Sequence, residues 1–436
     1  MSFQQGLSGL NASSKALDTI GNNIANSGTV GYKLGTTQFA DVFAASLSGA
    51  GTSPVGLGAR VANIAQQFTQ GNISTTNNPL DLAINGGGFY RLTNVAGDVV
   101  FSRNGQFQLD KDGYVVNSSG YQLTGYLADN TGAINPPLAP LRLFDSTSSS
   151  DSPPQATGVD AAGTGVGMIA NLNLDSREVG IDSVANPFDY SNSTTYNKST
   201  AVTVYDSLGN PHVYSMYFVK SNTTASSWAV YATVTNPAGS TTGTTPQVLG
   251  QLGTLTFNTD GSINTAAAGY PTTETVTAAQ LGYAGSVNDV TFPIDFGGST
   301  QYGSLFTVNA LSQDGFASGK LAGFNIGDDG VILGRYTNGQ SRNLGQVILA
   351  SFRNPQGLQP MGNNIWTATS TSGAEMDGAP GSSGQYGPIQ SSALEDSNVD
   401  LTAELVSMIT QQRVYQANAQ TIKTQDQVLQ TLVNLR

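Results

Sequence analysis

His212 is the only histidine in the 436-residue chain, and there is no cysteine. A nucleophile, imidazole and carboxylate triad would have to be built on this one ring. It follows Pro211 at the start of an alternating run, so a structural place at a strand edge is the simpler reading. The string Gly315-Phe-Ala-Ser-Gly-Lys320 is too short for a phosphate-cradling loop, and Leu321 stands where such a loop needs a magnesium-binding hydroxyl. Asp110-Lys-Asp-Gly113 has the acids of a calcium loop, but its glycine comes too early and no later acid supplies the bidentate ligand. Asp328 and Asp329 are adjacent, so they cannot oppose each other across a sugar as glycosidase carboxylates do. These strings read as β-turns, and no enzymatic activity, metal or cofactor is expected.

The elements that carry these turns are short strands. From about residue 72, alternating runs are broken by Gly86-Gly-Gly88, Ala96-Gly-Asp98, Lys111-Asp-Gly113 and Asn130-Thr-Gly132, the punctuation of antiparallel β-structure. A composition break at Asn135-Pro-Pro-Leu-Ala-Pro140 and Ser146-Thr-Ser-Ser-Ser-Asp-Ser-Pro-Pro154 sets a boundary near 145. A second β-rich block follows to about 300, and strand-like sequence in the style of 72–144 then resumes. The expected fold is multidomain and mainly β, with nested antiparallel domains flanked by N- and C-terminal α-helices. The expected segments are a terminal helical domain (1–28 and 398–436), an extended connector (29–71 and 392–397), an inner β-domain (72–144 and 301–391) and an inserted outer β-domain (145–300). The connector reading rests on Gly, Ser and Thr content and on the breakers Gly49-Ala-Gly51 and Ser53-Pro54.

Both ends have helical periodicity. Phe3, Leu7, Leu10, Ser14, Leu17, Gly21 and Ile24 alternate four- and three-residue steps, and so do Leu401, Leu405, Met408, Gln412, Tyr415, Ala419, Ile422, Asp426, Leu429 and Val433. Val414, Val428, Leu432 and Leu435 form a second apolar patch off the C-terminal seam, so that helix needs more than one neighbour. The other faces are polar but almost uncharged: Lys15 and Asp18 are the charges of the opening stretch, and the closing one is rich in glutamine. Solvated helix faces normally carry more Lys and Glu. Two such helices could simply pair within one chain, but their uncharged polar faces suit a chain that packs against copies of itself as a coiled-coil-like inner tube.

The formal net charge is −12, and residues 145–300 hold 12 acidic and 3 basic side chains against 17 and 14 elsewhere. An acidic chain with no basic, aromatic-laced patch is not expected to bind nucleic acid. No apolar run reaches the roughly 18 residues of a membrane span, and the N-terminus lacks the basic and apolar regions of a cleaved secretory signal. Neither membrane insertion nor signal cleavage is expected.

Ile20-Gly-Asn-Asn-Ile-Ala-Asn-Ser-Gly-Thr-Val-Gly-Tyr-Lys33, with Asn22, Asn23, Ile24, Ala25, Asn26, Gly31, Tyr32 and Lys33 as its marks, resembles the N-terminal signature of bacterial flagellar rod and hook subunits. Ser397, Asn398, Val399, Asp400 and Leu401, then Gln412, Arg413, Tyr415, Gln416, Ala417 and Asn418, resemble the C-terminal signature. Asp81-Leu-Ala-Ile-Asn-Gly-Gly-Gly-Phe89 and Arg103-Asn-Gly-Gln-Phe-Gln-Leu-Asp-Lys-Asp-Gly113 resemble the shared β-domain. Val204-Tyr-Asp-Ser-Leu-Gly-Asn-Pro-His212 and Tyr336-Thr-Asn-Gly-Gln-Ser-Arg-Asn-Leu-Gly-Gln346 resemble its hook members. The resemblance is weakest over 145–300.

What the resemblance implies is an extracellular structural subunit of the flagellar hook, a curved flexible tube that transmits motor torque and has a central export channel. It implies self-assembly and contact with the distal rod, the hook cap, the hook–filament junction proteins and the flagellar type III export apparatus. Phe3 and Leu7 fit the aromatic-x-x-x-apolar pattern of the family's export-gate signal, although the helix seam requires the same residues. A distal rod subunit is the alternative within the family, but rod subunits lack a large inserted outer domain. A secreted polysaccharide-binding β-protein is the more distant alternative, and it has no use for paired terminal helices.

Overall fold

The computed structural model describes residues 2–42, 56–129, 132–144, 152–158, 165–238, 240–241, 243–283 and 286–434. Its body of short strands lies between two helices in sequence, α1 (Ser2–Ala25) and α2 (Leu401–Asn434). With 34 residues, α2 is about 50 Å long. It starts where the Asp400 carboxylate accepts the backbone N–H groups of Thr402 (2.9 Å) and Ala403 (3.2 Å), donors that a helix start leaves open. α1 ends in a turn in which the Asn26 side-chain amide donates to the Asn22 carbonyl at 2.9 Å.

After α1, part of the expected connector forms an antiparallel ribbon of β1 (Gly35–Val42) and β2 (Gly58–Gln66), with a bulge between Gln38 and Phe39. The breakers at 49–51 and 53–54, the turn residues 130–131 and the boundary stretch 145–151 lie outside the described residues. The ribbon is tied to α1: the Thr37 hydroxyl donates to Thr19 Oγ1 at 3.0 Å, and the Gln5 amide donates to the Gly56 carbonyl at 2.6 Å.

The chain divides into two compact units, the first being Met1–Ser146, Phe324–Gly334 and Arg342–Arg436. In its main sheet the strand Gln122–Ala128 has Phe89–Thr93 and Ser341–Val347 as antiparallel neighbours. Leu82, Ile84, Tyr90, Leu92, Leu123 and Leu349 are buried in one core cluster, each contributing roughly 1.5–3 kcal/mol. Phe89, Phe101, Phe352 and Trp366 form an edge-to-face aromatic cluster, with Phe101 and Phe352 centroids 4.7 Å apart. Two short pairings, Ile73–Thr75 with Ala393–Glu395 and Leu82–Ile84 with Ile389–Ser391, join sequence that follows β2 to sequence that precedes α2.

The second unit is Thr147–Gly323 with Arg335–Ser341. A four-stranded meander, Lys198–Tyr205, Pro211–Lys220, Ser227–Thr235 and Gln247–Thr256, shares a core with a second sheet ordered Thr273–Val276, Val290–Asp295, Met168–Asn173, Thr307–Gln313. Period-two alternation turns His212, Tyr214, Met216 and Phe218 inward. Residues 301–323, grouped by sequence style with the inner domain, lie in this unit because Thr307–Gln313 pairs along Met168–Asn173.

Candidate assembly surface

The two terminal helices pack against each other antiparallel. Near the start of α1, a Cβ added to Gly6 would lie 3.1 Å from Ile422 Cγ1, and one at Gly9 would lie 2.8 Å from the Asn418 side-chain nitrogen. At the far end, Asn23 Nδ2 donates to Glu404 Oε2 at 3.1 Å. The buried stripe of α1 is Gly6, Ala12, Ser13, Ala16, Thr19 and Asn23. Small side chains let the backbones approach closely, and the Ser13 and Thr19 hydroxyls donate to the carbonyls of Gly9 (2.8 Å) and Lys15 (2.9 Å), so neither is stranded.

The apolar seam is displaced from that stripe. Phe3 and Leu7 are each 44% exposed, while Leu10, Leu17 and Ile24 are half-buried. Positions 7, 10, 17 and 24 are each one residue, about 100° of helix, beyond 6, 9, 16 and 23. On α2, Leu401 and Leu405 are 45% exposed, Leu429 is 48% and Tyr415 is 37% exposed; Met408 and Ile422 are half-buried. Val406, Ile409, Val414 and Val428 are exposed as well. Val433 lies in the helix, but its side chain, like Leu432, and the whole of Leu435 fall outside the described residues. The chain thus pairs its own helices through the small and polar residues of α1, with Ile422 among their contacts on α2, and leaves Phe3, Leu7, Leu401, Leu405, Tyr415 and Leu429 of the apolar seam exposed.

The two signatures meet where the helices join the strands of the first unit. Asn23 Oδ1 accepts the Gly35 N–H at 3.0 Å and the Tyr32 hydroxyl at 3.1 Å, and Asn22 Nδ2 donates to that hydroxyl at 3.2 Å. Burial, then the nearby Glu404 carboxylate, pushes the Tyr32 phenol above its ordinary range. Asn398 Oδ1 accepts the Leu34 N–H at 2.7 Å while its amide donates to the Gln67 carbonyl at 2.8 Å. Lys33 Nζ donates to Glu395 Oε1 at 2.6 Å and to the Thr69 carbonyl at 2.8 Å; Arg103 Nη1 reaches Glu395 Oε2 at 3.4 Å. Burial lowers the Lys33 ammonium and the Arg103 guanidinium below their ordinary values, against the pull of Glu395.

The remaining signature residues frame this junction. Gly31 donates its N–H to the Glu395 carbonyl at 2.8 Å and has φ +70°, with the Asn104 nitrogen only 2.7 Å from where a Cβ would stand, so only glycine fits. Ser397 Oγ accepts the Val399 N–H at 3.3 Å. Ala25, Gln412, Arg413, Gln416 and Ala417 are exposed, and Ile24, Asn26, Val399 and Asn418 are half-buried.

Four family models match along the chain. They are described as flagella basal body rod protein (residues 3–33), flagellar hook protein FlgE/F/G D1 domain (83–152), flagellar basal body protein FlaE D2 domain (173–316) and flagellar basal body rod FlgEFG protein C-terminal (390–435). Across its whole length and theirs, the chain is 43% identical to the flagellar hook protein FlgE of Salmonella typhimurium and 42% identical to that of Escherichia coli strain K12. The chain belongs to the FlgE hook-protein family. The FlgE of Borreliella burgdorferi is 33% identical over 100% of this chain and 99% of its own. The solved flagellar hook protein FlgE2 of Helicobacter pylori covers 74% of this chain with 100% of its own, at 15% identity and a TM-score of 0.50, a likeness of fold alone.

The residues first weighed for chemistry have structural places in this FlgE-family chain. His212 is fully buried, contrary to an edge position, with Nδ1 2.8 Å from Asn236 Oδ1 and Nε2 3.3 Å from Asp206 Oδ2. Asp110 Oδ1 accepts the N–H groups of Asp112 (2.9 Å) and Tyr114 (2.8 Å) in a hairpin turn. Asp329 Oδ1 likewise accepts the Val331 N–H at 3.0 Å. Among the described residues, no group of three or more His, Cys, Asp or Glu side chains is placed to hold a metal ion.

Proposed function

We propose that this FlgE-family subunit polymerises into the flagellar hook by covering its outward apolar seam with the terminal helices of neighbouring copies. The observation that carries this is the exposure of Phe3, Leu7, Leu401, Leu405 and Leu429 on helices that already have each other as partners. A half-exposed leucine gains on the order of 1 kcal/mol when its remaining surface is covered. Several such residues, repeated with every neighbour, offset the several kcal/mol of lost freedom on association.

Residues 1–28 and 398–436 then form the inner tube, whose uncharged polar faces line or approach the channel. An unfolded chain passing along such faces meets neither strong charge nor apolar patches to hold it. The buried cluster of Lys33, Glu395 and Arg103 anchors the tube to the β-domain, so that torque passes between them. The second unit, with its acidic surface rich in Ser, Thr and Asn, belongs to the outer layers. There, neighbouring domains slide by exchanging hydrogen bonds with water at little net change. The finer partners are the distal rod, the hook cap, the hook–filament junction proteins and the type III export apparatus, with Phe3 and Leu7 serving also in the export-gate signal.

Polymerisation of purified full-length Leu405→Asp tests the reading, with Gln416→Asp on an exposed polar position as control. Both should keep the far-ultraviolet spectrum of the parent, and only Leu405→Asp should fail to form tubes. Normal tubes from Leu405→Asp would overturn it.

A further inference from the structure

The strand Thr273–Val276 is an edge of the second unit, hydrogen-bonded in its sheet to Val290–Asp295 alone. Glu274 stands opposite Phe292 and Val276 opposite Val290, and both partners are buried, so this side of the strand faces the core. Thr273 and Thr275 are exposed on the other side, where Thr275 Oγ1 lies 3.0 Å from Thr291 Oγ1. Glu274 therefore turns a carboxyl inward from an edge strand, a placement that natural sheets use to control what their edges do.

Its surroundings offer the charge little. From the facing sheet comes Tyr214, whose ring meets that of Phe292 edge-on at 5.5 Å. The Tyr214 hydroxyl is buried without a hydrogen-bond partner and feels the Glu274 charge. From the paired strand come Phe292 and Val290, which are apolar. Burial, opposed by the N–H of Thr275, acts on Glu274. Of the basic side chains of this unit, Arg177 pairs with Asp175, Lys198 with Glu178, and Lys220 donates to the carbonyls of Ser176 and Glu178, while Lys320 and Arg335 are exposed.

We propose that Glu274 makes Thr273–Val276 a pH-gated edge, packed over Phe292 when the carboxyl is protonated and released from Val290–Asp295 when it ionises, while the rest of the second unit stays folded. Burial raises this carboxyl from its ordinary 4.5 to about 7, with the Thr275 N–H opposing. The folded state thus holds the proton more tightly than the unfolded chain. The resulting stability is complete below the ordinary value and is lost as pH rises through about 7. Loosening of this edge with rising pH changes the surface that the unit presents.

Hydrogen exchange of the full chain at about pH 5.5 and about pH 8.5, corrected for the intrinsic pH effect, reads the gate directly. In the parent, protection of residues 273–276 should fall roughly tenfold or more between the two conditions, a one-proton linkage. Protection of the strand Pro211–Lys220 should stay constant. In Glu274→Gln, which keeps the shape and removes the charge, residues 273–276 should be equally protected at both values. A parent without the pH effect, or a Glu274→Gln chain that retains it, overturns the proposal. Carboxyl-carbon resonance titration of Glu274 is independent of the variant's folding: a midpoint near 7 is expected, and one near 4.5 overturns the gate.

Discussion

Lys33 Nζ and Glu395 Oε1 lie 2.6 Å apart with both side chains buried, although 362 residues separate them in sequence. Glu395 also accepts the Gly71 N–H at 2.8 Å and meets Arg103, so one carboxylate gathers the chain after α1, the chain after β2 and the chain before α2. Burying such charges gives little net stability when they are paired, but removing one partner leaves the others uncompensated. The cluster fixes where the two helices leave the strands of the first unit.

Replacing Glu395 by Ala should therefore destabilise the first unit by about 3–5 kcal/mol, because Lys33 and Arg103 would remain buried as unpaired cations. Denaturant unfolding of the full chain would show this as an earlier first transition, with the second unit's transition unmoved. An unchanged first transition would mean that the cluster is solvated in solution.

The close approach of the helices leaves little room at Gly9, where a Cβ would meet the Asn418 side-chain amide. Gly9→Leu should push Asn418 away, part α1 from α2 and abolish assembly. Gly21→Ala should be harmless, since a Cβ there meets nothing within 4 Å. Electron microscopy of polymerisation reactions distinguishes the two; tubes from Gly9→Leu would show that the helices pair differently.

His212→Ala should lower the stability of the second unit by about 2–5 kcal/mol, since it opens a cavity and removes the buried ring that lies against Asn236 Oδ1 and Asp206 Oδ2. Calorimetry of the full chain would register this on the second unit alone. A strand-edge position, the reading that follows from the sequence around Pro211, would have made this substitution nearly neutral.

Helix periodicity made α1 and α2 legible, and turn residues did the same for the β-rich body. The face by which the helices pair was not legible, because apolar spacing singles out Phe3, Leu7 and Leu405, whereas Gly6, Gly9, Ser13 and Ala16 have almost no hydrophobic signal. Their own three- and four-residue spacing was the available clue. The ribbon of β1 and β2 was hidden by a Gly, Ser and Thr content that reads as connector. The Lys33, Glu395 and Arg103 cluster depends on contacts across hundreds of residues, so a signature could mark Lys33 without revealing what it touches. His212 was misplaced because Pro211 suggests an edge, while the inward phase of Tyr214 and Phe218 already placed it inside.

On assembly the outward seam becomes an interface between copies. The chain has no natural cysteine, so Leu405→Cys gives a unique site for a nitroxide label, with Gln416→Cys as its counterpart on an exposed polar position. Accessibility of each label to a water-soluble relaxation agent would be measured in the free subunit and in assembled tubes. Both labels should be accessible in the free subunit, and on assembly the label at 405 should become shielded while that at 416 stays open to solvent. A label at 405 that remains equally accessible in well-formed tubes would mean that the seam stays uncovered on assembly.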